Sequence, residues 1–273
     1  MAKLVNVNFH QTFKPESQYI SSILNVADGE SQLSIKDISS LTGIPQGKSS
    51  GKVEPHILYA NYMGLIDYEK KNGQIKLKKT PLGEIVSIED PGLQEPLTKL
   101  LLHVMMLRKD EGVSVWSIIF KKILPKYRSG IKKDMLLLEL NQIYDGKISA
   151  KNIAPFYGSY DDLFSELNLI TIADEIIMVK PLVYDKEFIF LYALGLWEYW
   201  DEKFAHQEEI SSLQFEELNY GKSFGWDVQN EYKILEHLAD RGLIRMNRQL
   251  MPYTILRLAD KQELISRLYS ELC

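Results

Sequence analysis

Three times along the chain, a polar helix end passes through Gly or Asn into a Leu-Ile pair that opens a strand. The stretches are NYMGLIDYE at residues 61–69, SELNLITIA at 165–173 and ADRGLIRMN at 239–247. Gly64, Asn168 and Gly242 are residue types that tolerate a left-handed backbone at a helix C-terminus. A strand-like tail follows each junction: IKLKKT, EIIMVKP and MPYTILRL. Such punctuation predicts small helix–hairpin units, because each junction turns the chain back against the helix it has just finished. The junctions lie 104 and then 74 residues apart, so the chain is no regular solenoid. The units at the two ends carry the fuller signals. The middle one is acidic, and its junction equally fits an ordinary helix–strand connection.

The first unit is the most legible. Ser34 and Asp37 make a capping signature, and Ile35, Ile38 and Leu41 share one helical face. Gly43 stands where that helix should stop. PHILYANYMGLI then reads as a helix with Pro55 in its first turn. LIDYEKKNGQIKLKKT reads as a hairpin turning at Asn72-Gly73. Helix, turn, helix and a basic-tipped hairpin is the order of a winged helix-turn-helix. The expected fold is mainly α with small β wings, in winged helix-turn-helix units joined by helical packing segments. One such segment holds the stripe Leu97, Leu100, Leu101 and Val104, and VSVWSIIF follows it. The expected division is 1–88 for the first unit, 89–200 for a helical middle with a second winged-helix-like unit, and 201–273 for the third.

The loop TGIPQGKSS, from Thr42, has the residues of a nucleotide phosphate loop but not its spacing. Only three residues separate Gly43 from Gly47, and Thr42 stands where the first glycine of the motif belongs. A helix precedes it where a buried strand is needed. No nucleotide is expected to bind there.

Charge is distributed unevenly beneath a net value of −5. Residues 31–80 carry eight lysines against four acids, and residues 121–133 carry six basic residues and no acid. Residues 161–220 carry fourteen acids against three lysines. A basic front and an acidic back fit a protein that meets nucleic acid on one side only, though such runs also occur on ordinary solvated faces. The single cysteine, Cys273, excludes a disulfide framework and a cysteine zinc site, and it suits a reducing cytoplasm. The most apolar run, FIFLYALGLW from Phe188, is too short to span a bilayer and reads as a buried helix. No membrane partner is expected.

The candidate DNA contacts cluster in the first unit. Lys48, Ser49, Ser50 and Lys52 sit in a Gly-rich loop ahead of a helix, where hydroxyls and free N–H groups suit phosphate oxygens. His56 is placed to touch a base or simply to pack. Lys70, Lys71, Lys76 and Lys78 line the hairpin, with Lys76 and Lys78 on one face and Lys79 on the other. Tyr59 and Tyr62 read as core or groove wall. Catalytic carboxylates are harder to find. Asp67 with Glu69 and Lys70, Asp174 with Glu175 and Lys180, and Asp201 with Glu202 and Lys203 lack the spacing of a metal nuclease. No two of His10, His56, His103, His206 and His237 lie four residues apart, so no single helix offers a histidine zinc pair.

NFHQTF near the start, the TGIPQGKSSGKVEPHI loop, and TPLGEIV, EDPGLQEPLTKLLLHVMML and VWSIIF downstream resemble a bacterial family. It is the uncharacterised-domain family of DNA phosphorothioation gene clusters, which includes the DNA-nicking B component of the single-stranded phosphorothioation defence system. The resemblance runs from about residue 8 to residue 125. It implies a DNA-binding component that works beside a sulfate-reductase-like protein and an ATPase, with nicking ahead of sulfur insertion. His10, Gln11, Thr12 and Phe13 fall on the family's His-Glu-Thr-Phe opening; Phe9 replaces its usual glycine and Gln11 its acid. No cofactor is evident, and a divalent metal is implied only with nicking. A winged-helix transcriptional regulator and a non-catalytic assembly protein are the alternative readings of the same residues.

Overall fold

The computed structural model describes residues 7–47, 51–249 and 251–272. Helix α1 (Ser17–Val26) leads into two isolated bridge residues, Asp28 and Leu33. Helix α2 (Ile35–Thr42) follows, then α3 (Val53–Tyr62). Strands β1 (Ile66–Lys71) and β2 (Gln74–Lys79) form the hairpin, and α4 (Pro81–Glu89) closes the unit. The local signals act as expected. Ser34 and Asp37 cap α2 reciprocally, and Gly43 ends it at φ 73°. Asn72 at φ 51° and Gly73 at φ 77° make the tight turn of the hairpin. Asp28 and Leu33 pair with Lys78 and Ile75, so the segment before α2 lies along β2.

The same plan recurs twice. Between the first two units, α5 (Pro96–Met106) and α6 (Ser114–Ile118) supply helical packing, and α6 continues through a π turn at Ile119–Ile123. Strand β3 (Ile131–Lys132), helices α7 (Lys133–Ile143) and α8 (Ala150–Asp161), and hairpin β4 (Ile170–Ala173) with β5 (Ile176–Val179) make the second unit. After α9 (Ile189–Phe204) come β6 (Glu209–Ser211), α10 (Ser212–Leu218), α11 (Val228–Asp240), β7 (Ile244–Asn247) and β8 (Thr254–Arg257). Helix α12 (Lys261–Ser266) closes the third unit. The sheet orders are β3-β5-β4 and β6-β8-β7, so each leading strand pairs with the second strand of its hairpin. The middle unit is thus as complete as its neighbours. Its leading strand is two residues long, too short to register in an alternation pattern. Gly64, Asn168 and Gly242 have φ of 73°, 50° and 69°, the left-handed geometry their junctions require.

Two helices form the centre. Every residue of α5 from Leu97 to Met106 is buried, and so are Ile189 to Trp197 of α9. The leucine stripe of α5 is therefore only half of its contact surface. Its opposite face is polar and paired: Lys99 reaches Glu166 at 2.7 Å and Thr98 meets the Tyr269 hydroxyl at 2.7 Å. His103 Nε2 donates to the Ser223 carbonyl at 2.8 Å, which leaves Nδ1 to accept from the Tyr160 hydroxyl at 2.8 Å. Paired in this way, the buried polar groups avoid the desolvation cost of unmet hydrogen bonds. The FIFLYALGLW run becomes most of α9, as its apolar character predicted. Helix α9 runs unbroken through residue 200, so the expected boundary there falls inside an element. No helix among the described residues is long and apolar enough to cross a membrane.

Candidate nucleic-acid interface

The Gly-rich loop closes on its own backbone. The Lys52 N–H donates to the Pro45 carbonyl at 2.9 Å, and Gly51 adopts φ 52°. A Cβ on Gly51 would stand 2.2 Å from the Gln46 carbonyl oxygen, so only glycine fits there. Lys48, Ser49 and Ser50 lie outside the described residues. Lys52 turns inward. Its Nζ is 2.7 Å from Glu16 Oε1, and it lies 5.2 Å from the ring centre of Tyr19. The bond to Glu16 raises the ammonium pKa.

His56 is buried in the core of the unit. Its Nδ1 donates to the Lys52 carbonyl at 2.6 Å, and Nε2 accepts the Glu16 N–H at 3.3 Å. Burial holds its pKa below the usual value. With both ring nitrogens occupied, His56 offers no edge to a base, and of its two sequence readings packing is the one realised. The whole of α3 behaves likewise. None of its residues is exposed, because α1 and the N-terminal segment cover it. The expectation that α3 enters a groove is thereby corrected. Tyr59 is core, its hydroxyl donating to the Phe13 carbonyl at 2.9 Å, and Tyr62 is half-buried.

The hairpin keeps part of its basic character. Lys70 is paired with Glu54 at 2.5 Å. Lys71 is exposed beside the Asn72-Gly73 turn, and Lys78 is exposed on β2 with Lys76 half-buried nearby. Ile75 and Leu77 point inward, so Lys76 and Lys78 share the outer face, as alternation predicted. Across the hairpin, Glu69 stands opposite Lys76 and Asp67 opposite Lys78. Half of this wing's charge is therefore matched within its own face.

The family-type opening, His10 to Phe13, is a structural latch. His10 is buried; its Nδ1 accepts the Thr12 N–H at 3.0 Å, and Nε2 donates to the Asn152 carbonyl of α8 at 3.1 Å. Burial lowers its pKa to about 4. Gln11 and Thr12 take left-handed backbone at φ 47° and 72° to make the turn. Phe9 packs edge-on to Tyr59 and Tyr62, at ring separations of 4.9 and 4.8 Å. The segment thus joins the first unit to the second.

The carboxylate candidates are occupied with structure. Asp67 and Glu69 face lysines across the hairpin. Asp174 and Glu175 form the left-handed turn between β4 and β5, with Glu175 3.0 Å from Lys133. Asp201 pairs with Arg257 at 2.5 Å and with Lys261 at 3.0 Å. Glu202 accepts the N–H groups of Lys109 and Asp110 at 2.8 and 2.9 Å. Among the described residues, no three His, Cys, Asp or Glu side chains are grouped to hold a metal ion.

The acidic run at 161–220 is partly neutralised from within. Lys14 reaches Asp162 at 2.6 Å, Lys99 reaches Glu166 at 2.7 Å, and Arg108 reaches Glu198 at 3.1 Å. Arg108, Glu198 and Lys261 also wall a cleft of about 450 Å³ between the first unit and α9. The basic run at 121–133 divides. Lys126 pairs with Glu139 at 2.8 Å, whereas Lys122 and Arg128 are exposed. Lys121 lies inside, its Nζ 3.4 Å from the ring centre of Tyr199, and burial pulls its pKa to about 7. Charge counting in the sequence cannot separate these fates.

No family model matches the chain, and no curated protein matches it. Among solved structures, it is similar to SspB with magnesium ion bound, at TM-score 0.72 and 14% identity over 97% of this chain and 86% of that one. A second SspB structure gives TM-score 0.71 with the same identity and coverage. The chain has the SspB fold along nearly its whole length, in agreement with the resemblance read in its sequence.

Proposed function

We propose that the chain is a winged-helix DNA-binding component of a bacterial phosphorothioation defence system. The observation that carries this reading is the whole-chain correspondence with SspB, which extends a sequence resemblance limited to the first 125 residues or so. The topology supports the winged-helix part. Each unit runs short strand or bridge, helix, helix, hairpin, with the leading segment on the second hairpin strand. In the first unit, Lys71, Lys76 and Lys78 are the side chains proposed to reach phosphate, since Lys52, His56 and Lys70 have partners within the unit.

Association with a sulfate-reductase-like protein and an ATPase follows from the same reading, as does a cytoplasmic site of action. Nicking is proposed only together with a divalent metal, and the described residues present no ready cage for one. The test has two arms. An electrophoretic shift on mixed-sequence duplex DNA is expected at low salt and should weaken steeply as salt rises. Supercoiled plasmid incubated with magnesium or manganese then separates a nicking enzyme from a binding protein. Absence of any shift at low salt would remove DNA from the reading and leave an assembly role.

A further inference from the structure

The three units differ in what they leave uncovered. A helix that reads the major groove must lie free along one face, because the groove, about 12 Å wide, admits a helix and little else. Helix α3 fails this requirement, having no exposed residue. In the second unit the hairpin tip is Asp174-Glu175, two exposed carboxylates that would meet the phosphates flanking a docked α8.

The third unit meets both requirements. Helix α11 buries Ile234, Leu235 and Leu238 and exposes Gln229, Lys233 and His237, which recur every four residues along one face. Its first two turns present Val228, Gln229, Asn230 and Lys233, and amide side chains suit the edges of base pairs. Residues 243–258, the hairpin, carry three arginines and no acid. Arg257 is spent on Asp201, but Arg245 is exposed on β7. Arg248 stands between hairpin and helix, 5.2 Å from the ring centre of Tyr232 and 3.2 Å from Glu236.

The acids nearby do not cancel this face. Asp227 caps α11 by accepting the Asn230 N–H at 2.9 Å, Glu236 is shared with Arg248, and Asp240 lies at the far end of the helix. Met251, 81% exposed at the hairpin tip, adds an apolar contact of the kind that rests against sugar and base edges.

We infer that the third unit is the principal grip on duplex DNA: the first two turns of α11 enter the major groove, and Arg245 and Arg248 hold the flanking phosphates. This inference rests on the DNA-binding reading above and moves its centre from the lysine hairpin to the arginine hairpin.

The test uses the full chain and a fluorescent mixed-sequence duplex, titrated across salt by anisotropy. Three proteins are compared: wild type, Lys233→Glu with Arg245→Glu, and Lys76→Glu with Lys78→Glu. All four side chains project from the surface of their elements, and melting temperatures verify the folds. The third-unit variant is expected to lose about tenfold or more in affinity, and its salt slope to shrink by roughly 1.8 for two lost phosphate contacts. The first-hairpin variant should change less in both. Acylation footprinting of the wild type provides a readout independent of mutation, with Lys233 protected by DNA more than Lys71, Lys76 and Lys78. If wild type binds and the third-unit variant binds equally well, or Lys233 stays unprotected, the inference falls while the DNA-binding reading stands. If wild type shows no binding at low salt, both fall together.

Discussion

Lys52 Nζ and Glu16 Oε1 are 2.7 Å apart, in a pair half-covered by the rings of Tyr19 and Phe13. A lysine that the sequence offers to phosphate is thus committed to holding α3 against the start of α1. Lys52→Met and Glu16→Gln should each lower stability, with a coupling of roughly 0.5–1 kcal/mol in a double-mutant cycle. Neither should alter the salt slope of DNA binding. Urea denaturation and anisotropy check this; additive losses accompanied by a flattened slope would put Lys52 on the nucleic acid instead.

The buried imidazoles give the fold a mildly acidic weakness. Burial lowers both His10 and His103 from 6.5 to about 4. Between those values the unfolded chain takes up protons that the folded chain refuses. Stability is therefore whole above pH 6.5 and drains as pH falls toward 4. At 1.36 kcal/mol per pH unit, a shift from 6.5 to about 4 is on the order of 3 kcal/mol for each histidine. Urea midpoints measured from pH 7 down to 4.5 should fall steadily. A flat profile would mean that the imidazoles are already charged in the folded protein.

The junction residues can be tested through their backbones alone. A Cβ at Gly242 would meet nothing within 4 Å, so Gly242→Ala isolates the cost of φ 69°. That cost should be about 1–2 kcal/mol. Asn168→Gly should be close to neutral, because Asn already tolerates φ 50° and glycine does so without strain. Thermal melts suffice; an unaffected Gly242→Ala would show that the junction does not hold its left-handed turn in solution.

Lys121 predicts a rise in stability on the alkaline side. Burial depresses its folded value from 10.5 to about 7, so between those limits the unfolded chain binds the extra proton. Stability should climb with pH across that window, by at most about 1.4 kcal/mol per unit. Lys121→Met should raise the neutral-pH midpoint and remove the climb. A variant that keeps the same alkaline rise would assign it to other groups.

What could be read in advance was local. The Ser34–Asp37 cap, the Asn72-Gly73 turn and the three left-handed junctions are decided by a few adjacent residues, and each is realised. What could not be read depends on distant chain. The burial of α3 requires α1 and the residues from Phe9 to Phe13, and the partner of Lys52 lies 36 residues away. Likewise Lys121, Lys126 and Arg128 look equivalent as letters, yet one is buried, one is paired and one is exposed. The arginine hairpin did leave a sign, in residues 243–258 without an acid. The lysine-rich first hairpin drew attention from it, although that hairpin faces two of its own carboxylates.

The latch at His10 also sets an order of events on the ribosome. Its acceptor carbonyl belongs to Asn152, 142 residues downstream, and Lys14 pairs with Asp162. At about 5–20 residues per second, the opening segment waits roughly ten to thirty seconds for α8 to be synthesised. During that interval the first unit can assemble its own helices and hairpin, while His10 and Lys14 remain in water. The first residues to leave the exit tunnel are thus among the last to find their native contacts, and synthesis of the second unit must be finished before the first is sealed.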